Sequence, residues 1–528
     1  MNGYWAKAVM IREQTLLFRA SLEETVPEDH PVRLLEELLG RLDWSKWEAK
    51  YDGRRGQPPI HPRIMAGAIL YGLNRGIRSS RELEDSCGNR IDYLWLVHGR
   101  RIDHSTFALF RTENEKELRE LGRQVVRLAR GIGHIALKEV ATDGTRVLAD
   151  SSRHKTAGAR ELERWLLAAE EELEQALREM AGNDARDDER YGQAGSGAKL
   201  PKVLRKLMGR RDLLARALAA VKEVENAREA HGEAKAEKVA KVPVADPDAR
   251  VLENKEGGWA PNYTPVVTTD GTAGFIIDAD VTASSAEAPV QLAGAERIEE
   301  SLGQLPRTMM GDGLYTDLEV VEQLERKGIE VLVPAKATGA VPGMVAYREE
   351  PQRPVAEQLW GQLPRSRGGR LAREAFVFDS HQDCFYCPLG KCLSFWCVTR
   401  HPDGKRGHST RVYRCAPADC AGCPLRDACI PPRQKYRRVE RREESQHWDR
   451  VAQRMRCPDN QQRYARRKVI AETPFAHIKL HMGIRRFLHR GLNKVKQEWQ
   501  WICTAYNLNK LARLLRNSSD RPPQAAVA

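Results

Sequence analysis

The stretch from Arg307 to Ala335, RTMMGDGLYTDLEVVEQLERKGIEVLVPA, most narrows what this chain can fold into. A short apolar run ends at Asp312. A helix with apolar spacing follows over 318–328, and a second apolar run, IEVLVPA, comes after it. A strand, a helix and a strand in that order form a crossover whose two strands lie parallel. Parallel strands need helices over their faces, so the expected class is α/β with a partly parallel sheet. At 528 residues the chain is too long for one core. Length alone suggests about three or four domains.

The remaining segments fill in around that unit. Residues 1–135 read as an all-α domain. In HPRIMAGAILYGLNRG, Ile64, Ala68 and Tyr71 fall on one stripe and Gly76 can close the helix. Ser79 and Glu82 have the spacing of a capping box. A third helix is expected through DHSTFALFRTENEKELRELGRQVVRLARGIG, with Ser105 as its cap. Such short helices fit a helix-turn-helix-like DNA-binding or dimerisation module, and they fit a plain helical bundle as well. In 136–150, EVAT and TRVLAD read as two strands joined at Asp143-Gly144, and 261–283 reads as another hairpin around TDG.

Between them, 157–240 is charged and helical. Leu162, Leu166, Ala169, Leu173, Ala176 and Met180 step by four and three; Leu204, Leu207, Leu214, Leu218 and Val221 do nearly the same. An antiparallel helical hairpin inserted into a larger domain follows, with the polar stretch 182–199 as its turn. Residues 341–432 read as an irregular cysteine-rich insertion, and the basic segment 433–516 as helical from 460 on. The main domain is thus expected from 136–340 together with 433–516, with a disordered tail over 517–528.

Charge is concentrated. From Arg433 to Arg516 there are 22 Lys and Arg against seven Asp and Glu, while the whole chain carries +13. The rest is therefore close to neutral, and the basic block is a local footprint of the kind nucleic acid attracts. A solvated charged surface is the alternative, but aromatic and apolar residues interleave with the charge here. No run of apolar residues is long enough to span a bilayer, and the N-terminus does not have the shape of a secretory signal. The expected setting is cytoplasmic, without a membrane partner.

Eight of the eleven cysteines lie between 384 and 429. Cys420 with Cys423, and Cys384 with Cys387, have the C-x2-C spacing of zinc knuckles, and a cytosolic chain makes disulfides a poor alternative. Cys387, Cys420, Cys423 and Cys429 are the favoured set for a closed structural zinc site, with Cys384 as a substitute. Free thiols without metal are the competing reading.

Three acids stand out. Asp143 follows the apolar EVAT, and Asp312 ends the apolar run TMMG. Strand carboxyl ends are where open α/β sheets place ligand sites. Taken alone, Asp before Gly is most often a turn residue, and Asp150, Asp270, Asp278 and Asp280 compete on similar strands. Glu472 lies within the basic block, in RRKVIAETPFAHIKLHMGIRRFLHRG, with Lys479 seven residues on and so on the same helical face. Pro474 marks a kink or a helix start between them. A carboxylate among phosphate-attracting residues suits an enzyme that cuts phosphodiesters with Mg²⁺.

Together these blocks resemble bacterial insertion-sequence transposases of the DDE class with an InsH-like N-terminal domain. The resemblance runs through GQPPIHPRIMAGAILYGLNRGIRSSRELE and IDHSTFALFR. It continues in VATDGTRVLADSSRHKT and MMGDGLYTD and ends in RRKVIAETPFAHIKLHMGIRRFLHRGLNKVKQEWQWICTAYNLNKL. It implies an RNase H-like mixed sheet flanked by helices, with Asp143, Asp312 and Glu472 holding two Mg²⁺ or Mn²⁺ ions. It also implies Tyr464, Arg467 and Lys479 at phosphates near the cut, with Arg485, Arg486 and Arg490 extending the grip on the backbone. The implied substrate is double-stranded DNA, the element's terminal inverted repeats and a target, held by a homodimer in a synaptic complex at the bacterial nucleoid. The implied activity is DNA strand cleavage and strand transfer. A non-catalytic zinc-containing DNA-binding protein derived from a transposase, or a non-mobile RNase H-like nuclease, are the alternatives.

Overall fold

The computed structural model describes residues 21–51, 59–191, 201–230, 239–254, 257–284, 286–335, 337–401, 408–442 and 445–517. They divide into two compact units. The first comprises the described residues up to Val125, His481–Gly483 and those from Gln500 on. The second comprises Val126–Leu480 and Ile484–Trp499. The last helix, Leu492–Asn517, begins in the second unit and ends in the first. The expected tail over 517–528 lies, from 518 on, outside the described residues.

The first unit is all-α, as its sequence leads one to expect. Pro62–Asn74 starts with Pro at its first turn and the His61 side chain accepting from Arg63 N. Ser79 and Glu82 form the capping box of Ser80–Asn89. The expected third helix is two: His104–Glu113 and Glu115–Gly131. Its N-cap is Asp103, whose carboxylate accepts from Thr106 N, not Ser105. The break is at Asn114, which leaves helical geometry while its side-chain amide donates back to Phe110 O. That local bond competes with the helix ladder. Trp47, stacked on Phe110 at 5.2 Å and tilted against Trp501 at 6.4 Å, forms the aromatic centre of this core.

The second unit is built on a seven-stranded mixed sheet of RNase H-like type. Its strands are β1 (Glu139–Gly144) and β2 (Val147–Leu148), then, after a small separate ribbon of β3 (Thr156–Ala157) and β4 (Val242–Pro243), β5 (Arg250–Glu253), β6 (Trp259–Asp270), β7 (Ile276–Thr282), β8 (Thr308–Met310) and β9 (Glu330–Leu332). β7 pairs antiparallel with β6, and β6 antiparallel with β1. β1 then runs parallel to β8 and β8 parallel to β9. The crossover over 307–335 thus forms as expected, with its helix at Leu318–Arg326. The 261–283 hairpin forms as well.

The hairpin expected at Asp143-Gly144 does not form. β1 pairs Gly144 with Val266, and β2 pairs Val147 with Tyr263, in one unbroken register along β6. The chain runs straight on past Asp143. The ladder lapses only opposite Pro265, which has no N–H to give, although Thr145 N still donates to Pro265 O at 3.0 Å.

The inserted helical hairpin is present as Ala159–Tyr191 and Lys202–Ala230. Leu162, Ala169, Leu214, Ala217 and Val221 form its own buried core. The first helix runs through much of the expected polar turn. Both ends of the excursion meet on the ribbon, Ala157 opposite Val242.

The cysteine-rich insertion is not irregular. It holds a five-stranded antiparallel sheet, in order β10 (Val377–Asp379), β11 (Cys384–Tyr386), β12 (Cys392–His401), β13 (His408–Cys415) and β14 (Arg438–Arg442). Phe376, Phe385, Leu393, Tyr413 and Val439 fill its core. Alternating apolar residues in CLSFWCVTR and STRVYRC carry this signal beneath the cysteine spacing.

Candidate active site

The parallel pair β1 and β8 sets the site. Val140 lies opposite Met309 and Ala141 opposite Met310, so each strand reaches its aspartate two residues further on. Asp143 and Asp312 therefore stand at matching positions at the carboxyl ends of neighbouring parallel strands. Asp143 is 7% exposed, and its Oδ1 accepts from Gly144 N at 2.9 Å. Asp312 Oδ1 accepts from Leu314 N at 2.8 Å, which turns the chain into a short 3-10 helix over Gly313–Tyr315.

Glu472 lies on a helical segment laid along the strands. At the strand starts Arg463 Nε binds Glu139 at 2.7 Å, and its Nη2 binds Thr308 at 2.6 Å and Glu330 at 2.8 Å. Over the middle, Ile470 and Ala471 pack with Ala141, Met310 and Leu332. Past the strand ends, Lys479 Nζ donates to Thr145 Oγ1 at 2.7 Å and to Arg146 O at 3.0 Å. Glu472 is exposed and follows Ala471 directly, between the packed centre and the Lys479 anchor. Pro474 neither starts nor ends this helix: it lies buried inside Arg467–Ala476. The irregularity comes after it, as a π-helical turn over His477–His481. The simple seven-residue spacing between Glu472 and Lys479 is therefore not that of a regular α-helix. Lys479 faces the extended segment after Asp143.

A fourth acid, unmarked in the sequence reading, closes the site. Glu287 is 2% exposed. Its Oε2 accepts from the Tyr315 hydroxyl at 2.9 Å, and its Oε1 lies 3.4 Å from Arg146 Nη1. Burial raises its proton affinity above the ordinary carboxylate range, and the nearby charges of Asp143 and Asp312 push the same way. Two glycines make room. A Cβ on Gly144 would come within 2.2 Å of Glu287 Oε2, and one on Gly311 within 2.6 Å of Tyr315 Cβ. In the sequence Glu287 sits in SSAEAPVQ, which reads as a loop before a helix. The signal available was the polar side chain three residues after each aspartate, Arg146 and Tyr315, which together imply a shared partner.

Tyr464 donates its hydroxyl to Gly311 O at 3.1 Å, beside Asp312. Burial raises its pKa, with Asp312 and Asp143 adding to the shift against Arg467. The Arg467 guanidinium lies 5.7 Å from the Tyr464 ring, and its buried Nη1 has no hydrogen-bond partner among the described residues. Arg485 and Arg486 are exposed on a segment that joins the sheet, where Leu148 N donates to Arg485 O and Phe487 N to Leu148 O. Arg490 is exposed too, but its Nε is held at 2.9 Å by Asp150. The competing acids are engaged elsewhere. Asp278 pairs with Arg297 at 2.7 Å, Asp280 with Lys496 at 2.8 Å, and Asp270 accepts Leu137 N and Thr272 N.

In the insertion, Cys420, Cys429 and Cys415 are buried in the sheet's core with Cys387 and Cys423 packed against it. Burial pushes the Cys429 thiol up to about 12, with Cys387, Cys423 and Cys420 adding to the rise. Those four, the favoured set, are thus near neighbours. Lys391 N donates to Cys387 Sγ at 3.4 Å, the kind of backbone bond that stabilises a thiolate. Cys384 is not part of this group: its thiol forms a hydrogen bond with that of Cys392 instead. Cys415, beside Cys420 and Cys387, is the stronger substitute.

Among the described residues no three carboxyl, imidazole or thiol groups stand close enough to enclose an ion as placed. The donor chemistry suits the ions expected. Carboxylate oxygens at the strand ends match Mg²⁺ or Mn²⁺, and clustered thiols match Zn²⁺. No described helix is long and apolar enough to cross a membrane.

Two family models match the chain. Residues 386–512 match the family described as Transposase DDE domain, and residues 20–113 match the family described as Transposase domain (DUF772). The first span takes in Glu472, Lys479 and the four clustered cysteines. The second takes in the capping box and most of the helices of the first unit. No curated protein matches the chain.

Proposed function

We propose that the chain, with its two matches to transposase domain families, is an insertion-sequence transposase of the DDE class that cuts DNA at the ends of its element and joins the freed ends to a target. The observation that carries this reading is the matched placement of Asp143 and Asp312 on parallel β1 and β8; Glu472, on the helix packed over the same strands through Ile470 and Ala471, would be the third acid. These three carboxylates would hold divalent ions. Bound there, such ions supply Lewis acidity at the scissile phosphate and lower the pKa of the attacking oxygen's proton. The chain's own residues do the rest. Tyr464 braces the turn of Asp312 through Gly311 O, and Lys479 braces the extended segment after Asp143. Arg467, with its unpartnered Nη1, would donate to a phosphate oxygen. The exposed Arg485 and Arg486 extend the grip along the backbone.

In the first step water adds to phosphorus and the bond to the 3′-oxygen breaks, leaving a 3′-hydroxyl and a 5′-phosphate. In the second that hydroxyl adds to a target phosphodiester and displaces the target's 3′-oxygen, which leaves as a new 3′-hydroxyl, the proton lost by the attacking oxygen being made up on the leaving one through solvent. No covalent link to the protein forms. Pairing two ends calls for two copies of the chain, so the working form is a homodimer on DNA.

Purified protein with Mg²⁺ on DNA carrying the element's terminal repeats is expected to yield nicked ends and joined products. Binding without any cut would favour a DNA-binding protein that has lost the chemistry. Cutting without joining would favour a plain nuclease.

The clustered thiols give a second expected result. Protein purified without chelator should carry about one equivalent of zinc, and Cys423→Ser should lose most of it, because a closed thiolate site needs its full ligand set. Zinc below about half an equivalent in the unmodified protein, by elemental analysis, would favour free thiols.

A further inference from the structure

We propose that Glu287 is the positioning residue of this site: one buried carboxylate that clamps together the segments following both strand-end aspartates, extended after Asp143 and turned after Asp312, and so sets the span between them. The inference rests on the roles proposed for Asp143 and Asp312. Its two donors come from equivalent places. Arg146 is three residues after Asp143, and Tyr315 is three residues after Asp312. Tyr315 binds one oxygen of Glu287 and Arg146 approaches the other. The same Arg146 nitrogen, Nη1, also donates to Thr264 Oγ1 on β6, the strand paired with β1.

Other reasons for a carboxylate here are weaker. Glu287 precedes the helix Ala288–Leu302 but makes no capping bond to it. It is not a surface ion pair, since it is 2% exposed and Tyr315 is fully buried. Burying a carboxylate is costly, and an apolar residue would fill the space at less cost. The space itself is reserved: Gly144, directly after Asp143, has no Cβ where Glu287 Oε2 lies. The backbone beside one aspartate is thus shaped around the group that grips the turn of the other. A clamp of this kind holds two donors at a working separation before any ion arrives. Outer partners of ion-holding groups act in this way.

The test uses full-length protein bound to terminal-repeat DNA, with two readouts. One is the Mg²⁺ concentration giving half-maximal cleavage. The other is the Ca²⁺ concentration giving half of the ion-induced rise in melting temperature, which needs no catalysis. Glu287→Gln is expected to raise both midpoints and slow cleavage by ~10–100-fold. DNA affinity in the absence of divalent ions should stay unchanged. Tyr315→Phe, which leaves the carboxylate in place, should shift both midpoints in the same direction by less. The double variant should be no worse than Glu287→Gln alone, since both remove one clamp. Unchanged midpoints in Tyr315→Phe and Glu287→Gln would overturn the proposal; should Glu287→Gln not fold, unchanged midpoints in Tyr315→Phe alone would do so. If unmodified protein never cuts, the proposed activity fails, while the Ca²⁺ midpoints still decide the role of Glu287.

Discussion

Glu472→Gln is expected to slow both cleavage and strand transfer by at least about a thousandfold, the upper range for losing one preorganised charge at a reacting centre. Terminal-repeat DNA should still bind. The structure explains why the two effects separate. Glu472 is exposed, so neutralising it strands no buried partner and leaves the fold intact. The helix that carries it packs on the sheet through Ile470 and Ala471, and the helix before it is anchored at the strand starts by Arg463; the substitution touches none of these. Removing a negative charge from a basic segment should, if anything, tighten phosphate binding. Asp143→Asn should behave alike in the chemistry, and the double variant should be no slower than either single one, because the acids act as a unit. Near-normal cutting and joining by Glu472→Gln, in a gel assay of labelled ends, would defeat the three-acid assignment.

The second large effect is on binding. Affinity for terminal-repeat DNA is expected to fall by roughly 10³–10⁵-fold between about 50 and 200 mM salt, the range for a protein that neutralises several phosphates. The basis is the block 433–516, with its 22 basic residues, among them exposed Lys468, Arg485 and Arg486. Some basic residues in that block are spent internally: Arg463 on Glu139 and Glu330, and Arg490 on Asp150. Neither should add to the slope. Arg485→Ala, by contrast, should make the plot of log affinity against log salt shallower by about one unit. An affinity indifferent to salt would show that this block is not the DNA grip.

The parts of the fold that announced themselves in the sequence are those decided locally. The crossover over 307–335 reads from period and punctuation, and the capping box at Ser79 and Glu82 reads from spacing. Both depend on residues near one another in the chain. The straight passage of β1 into β2 does not read that way. Asp-Gly is a turn signal, and only the distant β6, with Pro265 across from the gap, holds the chain extended there. Asn114 divides a helix whose apolar spacing alone would carry it through. The insertion's sheet was hidden by its cysteines, whose spacing invites a reading as metal loops while the alternation between them builds strands. At the site, Asp143 and Asp312 were legible because each ends an apolar run. Glu287 was not, because its importance comes from burial against Tyr315 and Arg146, which are far from it in sequence.

The small ribbon at Thr156–Ala157 and Val242–Pro243 has a wider consequence. It makes the helical hairpin an appendix on a closed stem, since the chain leaves and returns at paired positions. What hangs from that stem can be lengthened, trimmed or exchanged without changing the register of the sheet that carries the acids. A lineage could acquire new targeting or regulatory parts there at little cost to its chemistry. An engineer could use the same socket to tether the enzyme to a chosen locus.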